Sequence, residues 1–485
     1  MTRSRLIAEP KEPEMSFRTL LFTLLGAAIL LSAEALASAQ TVTFKTSDEA
    51  APAFRVSTRV KATGKPILSA GRGKTAPHVM TARAEFAFAE RRLPAGGRDA
   101  LSLRAVRDFQ LARMESVVTP DGEATAGAGK AETAVVLPKH LQLIVAEGRT
   151  SGVACYCPTS PMTRETVDLL ELPGDPLALT AMLPAKSVEI EETWTPPEWA
   201  GQMLAAIEAI ETSTLSCKLA AATETSATIS VSGAVKGQRD GANCEVTIHG
   251  SITYDRKNEA ISEAKLTYAV KSTIGAVSPG LDLTMEVETH RQPLDSAGRL
   301  EDKVLSAIPI SAPVNVYDLV YDAAPWGVRL RHSRDWFFYQ ATLEGSPQVA
   351  IFRLMQSGSI IAQCNMSPIP SAAPGQHVPL EQFEKDIKAS LGTRLDSIRA
   401  KEQLNVDTGM KVFRVIADGK HTIAGPKEKV EIPTTWVYYL CAAPSGKQSS
   451  FVFAVESKLV EQMGTRDEDL VRSLQFTVQR AAKAP

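Results

Sequence analysis

From Met80 onward, apolar and polar residues alternate. Ala82, Ala84, Phe86 and Phe88 interleave with Thr81, Arg83 and Glu85. A period of two is the mark of a strand with one buried face. Residues 99–118 and Val135 to Val145 also read as extended, separated by a turn at Pro120-Asp121-Gly122. A meander then follows: Ile229 and Val231, then Val246, Ile248, Ile252 and Tyr254, then Leu266, Tyr268 and Val270, then Leu281, Leu283, Met285 and Val287. Successive alternating runs joined by turns predict an antiparallel sheet with one wet face. Between the two strand groups the pattern changes. Leu172-Pro173-Gly174-Asp175-Pro176 opens a helical piece with Leu177, Leu179, Met182 and Leu183. Two prolines start another, where Trp199, Met203, Ile207 and Ile210 fall on one face. The expectation for residues 40–292 is one strongly curved antiparallel sheet whose concave side carries a helical cover. Residues 40–78, rich in Ala, Gly, Lys and Pro, read as a loose entry to it.

Residues 293–316 hold Pro293, Pro309 and Pro313 and read as a linker. The region 317–480 is richer in aromatic residues. Ala350, Phe352 and Leu354 alternate, then Ile360, Ala362, Cys364 and Met366. Leu380, Phe383, Ile387 and Leu391 are spaced as an amphipathic helix. Trp436, Tyr438 and Leu440 turn through Ala443-Pro444-Ser445-Gly446 into Phe451, Phe453 and Val455. A last helix spans about Asp467 to Leu474, and Phe476 and Val478 close as an edge strand. Trp336 after Arg-His-Ser-Arg-Asp, Ile361-Ala362-Gln363-Cys364, Leu380-x-x-Phe383, Trp436-x-Tyr438-Tyr439 and Leu470-Val471-x-Ser473-Leu474-x-Phe476 together resemble the Mog1/PsbP-like family. That resemblance implies an α/β/α sandwich with an antiparallel sheet, and a binding or assembly factor instead of an enzyme. The first region is similar in pattern to LolA-like periplasmic β-rich carriers and to uncharacterised exported bacterial proteins. The expected fold class is therefore α+β, a curved antiparallel β domain with helical cover followed by an α/β/α sandwich.

The chain of 485 residues begins with a basic segment ending at Arg18, an apolar run from Leu20 to Leu31, and Ala37-Ser38-Ala39 before Gln40. This is the layout of a secretory signal peptide over residues 1–39, so a periplasmic or secreted product is expected. The apolar run is too short for a finished membrane span. The net charge of −2 gives no field that would gather nucleic acid or an anionic membrane.

Most familiar chemistries are missing. Gly71-Arg72-Gly73-Lys74-Thr75 lacks the earlier glycine of a phosphate loop, because Leu68 stands there. Neither Gly-x-Ser-x-Gly nor His-Glu-x-x-His occurs. The seven histidines are scattered singly, and His249 falls on the polar face of its strand. Glu191-Glu192 and Asp467-Glu468-Asp469 read as exposed charge, the second at a helix N-terminus. Six cysteines in an exported chain permit disulfides. Cys217 with Cys244 and Cys364 with Cys441 are the pairs to test. Cys155 and Cys157 could bind a soft metal, pair elsewhere, or be structural neighbours; the structural role is preferred, and no metal or cofactor is expected. One cluster could hold an anionic or planar ligand: Trp326, Arg329, Arg331, His332, Arg334 and Trp336. Its bland counterpart is a basic hairpin with two core tryptophans.

The functional expectation is an exported, non-enzymatic binding or assembly protein, with an apolar ligand held in the concave face of the first domain. Its partner is an envelope protein or an apolar small molecule. The alternatives are an envelope hydrolase assembled from distant segments and a structural surface protein.

Overall fold

In the computed structural model the described residues are 41–45, 52–69, 75–93, 99–121, 129–171, 173–309, 312–406, 409–424 and 429–477. The leader and the Gly71–Lys74 loop lie outside them, as does Val478.

The first thirteen strands form one antiparallel sheet. They are β1 (Phe54–Ser69), β2 (Thr75–Arg92), β3 (Arg104–Pro120), β4 (Ala131–Val136), β5 (Leu143–Arg149), β6 (Gly152–Tyr156), β7 (Thr193–Trp194), β8 (Ala209–Ser213), β9 (Ser216–Ala222), β10 (Ser226–Arg239), β11 (Ala242–Asp255), β12 (Ala260–Ser272) and β13 (Gly280–Pro293). The order runs β6-β5-β3-β2-β1-β13-β12-β11-β10-β9-β7, with β4 on β3 and β8 on β10. The two strand groups expected from the sequence therefore join through β1 and β13. The stretch read as a loose entry is in fact the central strand β1, where Phe54, Val56, Thr58, Val60 and Ala62 point inward and their neighbours outward. Its alternation was carried by small and β-branched residues interleaved with Arg, Lys and Thr. Gly64 sits at φ +152, and a Cβ there would overlap the Asp282 carbonyl. The glycine lets β1 press closely against β13.

A second lobe follows. β14 (Leu319–Ala323) and β15 (Val328–His332) pair, then β16 (Trp336–Thr342), β17 (Val349–Gln356), β18 (Ser359–Ile369), β19 (Leu395–Leu404), β20 (Lys411–Ala424), β21 (Lys429–Ala442) and β22 (Gln448–Glu456) make a seven-stranded antiparallel sheet. β23 (Gln475–Phe476) returns to β15 and completes a three-stranded sheet.

The α+β class is overturned. Among the described residues the protein is mostly β, with 56% strand and 18% helix. The expected helical cover reduces to helices of seven, six and eight residues at Arg164–Leu170, Pro176–Ala181 and Glu198–Ala205, sharing one apolar core with the first sheet. The third starts after Pro196-Pro197 as expected but stops early. Ala206 takes a left-handed φ of 52, so Ile207 lies beyond the helix and Ile210 in β8. The α/β/α sandwich is corrected likewise. Phe383, Ile387 and Leu391 of the helix Leu380–Leu391 pack on one face against Phe413, Trp436 and Tyr438. The other face is covered by the small sheet and two short helices, Val460–Met463 and Arg466–Arg472. Alternating runs outnumber helical ones here, and short helices cannot form a layer. Asp467 is not exposed charge: it is fully buried and accepts the Tyr439 hydroxyl hydrogen at 2.7 Å.

Inside the first sheet lies a buried ionic network. Arg107 on β3 donates both Nη atoms to Asp175 at 2.7 Å and its Nε to Glu90 on β2 at 2.9 Å. Arg291 on β13 donates to the other Glu90 oxygen at 2.9 Å. All four side chains are buried, and two positive charges balance two negative ones. Burial opposes the Glu90 charge, but the Arg107 and Arg291 guanidiniums outweigh it and hold its carboxyl below the usual range. Asp175 also caps the Pro176–Ala181 helix, accepting the Leu177 N–H at 2.9 Å. One tetrad thus binds three strands to the start of a helix.

Breaking a buried pair strands its partner charge, at about 3–5 kcal/mol. Arg107→Met should lose stability of that order in urea unfolding, whereas an exposed control, Arg113→Met, should change it by less than about 1 kcal/mol. The folded Glu90 carboxyl titrates below its unfolded value. Its contribution is complete above the ordinary 4.5 and is lost as pH falls through the folded value.

Candidate functional site

A cavity of about 1020 Å³ lies where the thirteen-stranded sheet meets the second lobe. One wall is apolar and comes from the sheet, with Val246, Val270, Leu281, Leu283 and Met285. Met203 and Leu204 of the Glu198–Ala205 helix adjoin them, and Phe337, Phe338 and Met355 face in from the second lobe. The rim is charged, with Asp168, Glu171 and Asp240 beside Arg164 and Arg334.

Local sequence places these groups. Thr163 caps the Arg164–Leu170 helix by accepting the Thr166 N–H at 3.3 Å. The helix ends at Glu171 because Pro173 and Gly174, at φ 69, cannot continue it. Asp168 and Glu171, three residues apart, consequently reach the same rim. The tetrad fixes the next residue of that loop, Asp175, so the rim is anchored from below.

Two arginines bind the lobes reciprocally. Arg164 donates to the Arg334 carbonyl at 2.6 Å and lies 4.4 Å over the Phe337 ring. Arg334 donates back to the carbonyl of Cys155 on β6 and, at 3.2 Å, to that of Tyr317. Its Nη1 approaches Glu171 at 3.4 Å. A parallel bridge between Met162 and Leu319 runs beside this exchange.

The rim carboxylates are perturbed. Asp168 and Glu171 both line the cavity and keep 59% and 44% of their side-chain surface exposed. Burial pushes Glu171 up to about 7, with Asp168 and Asp240 adding to the rise and Arg334 opposing it. Burial likewise pushes Asp168 up to about 6, with Asp240 adding and Arg164 opposing. Asp240 and Glu208 are also raised, first by burial.

The expected aromatic–cation cluster is dispersed by strand alternation. Trp326 donates its indole N–H to the Leu343 carbonyl. Arg329 is exposed and paired with Asp322 at 2.7 Å, and Arg331 is exposed on the same face of β15. His332 is buried against Phe352, and burial pushes it down to about 4. Trp336 is buried against Phe453. Of the six, Arg334 alone lines the cavity.

All six cysteines are free and buried. Cys217 faces Val231 and Cys244 faces Gly237, so six residues of β10 separate them, about 20 Å along the strand. Cys364 faces Phe453 and Cys441 faces Ser449, on opposite sides of β22 and about 13 Å apart along it. A disulfide needs Cα atoms within about 7 Å, so both pairings are ruled out by register. Burial pushes the Cys155 thiol up to about 12, which makes it a poor thiolate ligand. Among the described residues no group of three or more His, Cys, Asp and Glu side chains is placed to hold a metal ion.

The Leu-Pro-Gly-Asp-Pro break was legible in the sequence, but Arg164, Asp168 and Glu171 beside it were not. Their only local signal is a cluster of charges before that break.

No protein-family model matches the chain, and no curated protein matches it. Among solved structures it is similar to the cyanobacterial PsbP protein CyanoP from Synechocystis sp. PCC 6803, at 17% identity and a TM-score of 0.25, covering 34% of this chain and 96% of that one. It is similar to lipovitellin at 6% identity and a TM-score of 0.27, covering 52% of this chain and 26% of that one. It is also similar to MucB in complex with periplasmic MucA, at 12% identity and a TM-score of 0.15, covering 89% and 95%. No helix among the described residues is long and apolar enough to cross a membrane.

A carboxyl raised on folding makes its full contribution below its unfolded value and loses it as pH rises through the folded value. For Glu171 that window runs from the ordinary 4.5 to about 7. Thermal melts should therefore show this part of the stability falling between pH 5 and pH 8. In Glu171→Gln the fall should be smaller; an unchanged profile would mean that Glu171 titrates as in solvent.

Proposed function

We propose that the chain is an exported, non-enzymatic binding protein that holds an apolar ligand in the cavity between its lobes. One observation carries the reading: a cavity of about 1020 Å³ with an apolar sheet wall and a charged rim. Ligand sites have this character, a largely apolar lining with a few polar groups that orient the occupant. The leader layout over residues 1–39 supports export. For residues 317–480 the reading is a Mog1/PsbP-like binding or assembly module, supported by the packing pattern of Trp336, Phe383, Trp436 and Phe476.

N-phenyl-1-naphthylamine, which fluoresces in apolar surroundings, should bind the purified protein saturably. Met285 on the cavity wall is half-buried, and Met285→Trp should fill part of the space. Binding should weaken roughly tenfold while the fold, followed by circular dichroism, is kept. Organic extraction and mass spectrometry of protein from its native host should release a copurifying apolar compound or peptide. Absence of both probe binding and copurifying material would sink the reading.

A further inference from the structure

We infer that the occupant of this cavity is an extended polypeptide segment that pairs with the edge of β6 at Val153 and offers a basic side chain to Asp168 and Glu171. The inference rests on the cavity being a binding site and names the chemical class of its ligand.

β6 ends the sheet order, and among the described residues it pairs only with β5. Arg149 and Gly152 flank the two-residue turn that joins them. In such a hairpin the flanking pair is hydrogen-bonded, so Gly152, Ala154 and Tyr156 turn their backbone groups to β5. Val153 and Cys155 turn theirs the other way. Arg334 confirms that direction, because it reaches the Cys155 carbonyl from outside the sheet. The N–H and C=O of Val153 remain as outward groups at the cavity, whereas Cys155 is fully buried and its carbonyl is taken by Arg334. Gly152, Val153 and Ala154 line the cavity and are half-buried. An unpaired strand edge bordering a cavity is the feature on which β-strand addition operates.

Charge selects the side chains. Arg334 and Arg149, beside β6, are engaged within the protein, while Arg239 and Arg466 also line the cavity. Arg334 is held by Tyr317, Cys155 and Glu171, and Arg149 by Glu147 and Tyr317. The carboxylates have acceptors to spare. Asp168 has its nearest cation, Arg164, at 3.9 Å, and both Asp168 and Glu171 open to the cavity. Glu208 and Asp240 lie on the same lining. A lysine or arginine on the incoming strand would pair there. Period-two alternation lets one short segment offer apolar side chains to the sheet wall and basic ones to the rim. The volume is at the upper end for small-molecule pockets, which gives a main chain room.

The test is a synthetic array of extended decapeptides of varied sequence, probed with the purified full-length protein, followed by titration of the best binder. Enrichment of alternating apolar residues with Lys or Arg is expected. Amide hydrogen exchange at Val153 should slow when that peptide binds. Val153→Pro removes an outward N–H that an edge position can spare, and should weaken the peptide about tenfold; Asp168→Asn with Glu171→Gln should weaken basic peptides by a similar factor. N-phenyl-1-naphthylamine binding should survive Val153→Pro, which reports that the variant is folded. If the naphthylamine binds but no peptide is enriched, the peptide assignment fails and the cavity reading stands. If neither binds, both fail. Peptides that bind without slowing exchange at Val153, or that carry no basic residue, would overturn the inference as stated.

Discussion

Glu90 holds two arginines at once, and the first lobe is organised around that fact. Neither Arg107 nor Arg291 can be buried alone, since desolvating an unpaired guanidinium costs several kcal/mol. Each therefore requires Glu90, and Arg107 further requires Asp175. The four groups come from β2, β3, β13 and the loop before a helix. Satisfying them fixes how the N-terminal strands close on the last strand of the meander, on either side of β1. Phe54 and Phe88 stack on the Arg291 and Arg107 guanidiniums at 4.4 and 5.0 Å, so the ionic network is embedded in the apolar core.

The cavity inherits its geometry from this anchor. Asp175 is both a member of the tetrad and the cap of a helix, and Glu171 stands four residues before it on the rim. The lobes meet through Arg164, which donates to the Arg334 carbonyl, and Arg334, which donates to the Cys155 and Tyr317 carbonyls, contacts that do not depend on the protonation of any carboxylate. Rim groups whose charge is perturbed by burial are thus carried on a joint whose own hydrogen bonds stay constant.

Long strands with bulky apolar residues were legible in the sequence: β2, β11, β12, β13 and the aromatic strands β21 and β22. β1 was not, because Thr58 and Ala62 occupy inward positions where a pattern reader looks for Leu or Phe. The buried Thr58 hydroxyl is satisfied by Thr289 across the sheet, at 3.1 Å, a partner 231 residues away. The run from Trp326 to Trp336 read as a cluster because its residues are close along the chain. In β15 the alternation sends Arg329 and Arg331 to solvent and His332 into the core, so only Arg334, beyond the strand, reaches the cavity.

By itself the chain determined which segments alternate and where prolines and glycines break them. These are local properties, set by side-chain period and backbone sterics. Pairing was decided by the tertiary structure: which edge β6 leaves open, which cysteines lie out of register, and which carboxylates share a rim. Those outcomes depend on contacts between residues tens to hundreds of positions apart, where burial and charge balance count and local pattern carries no information.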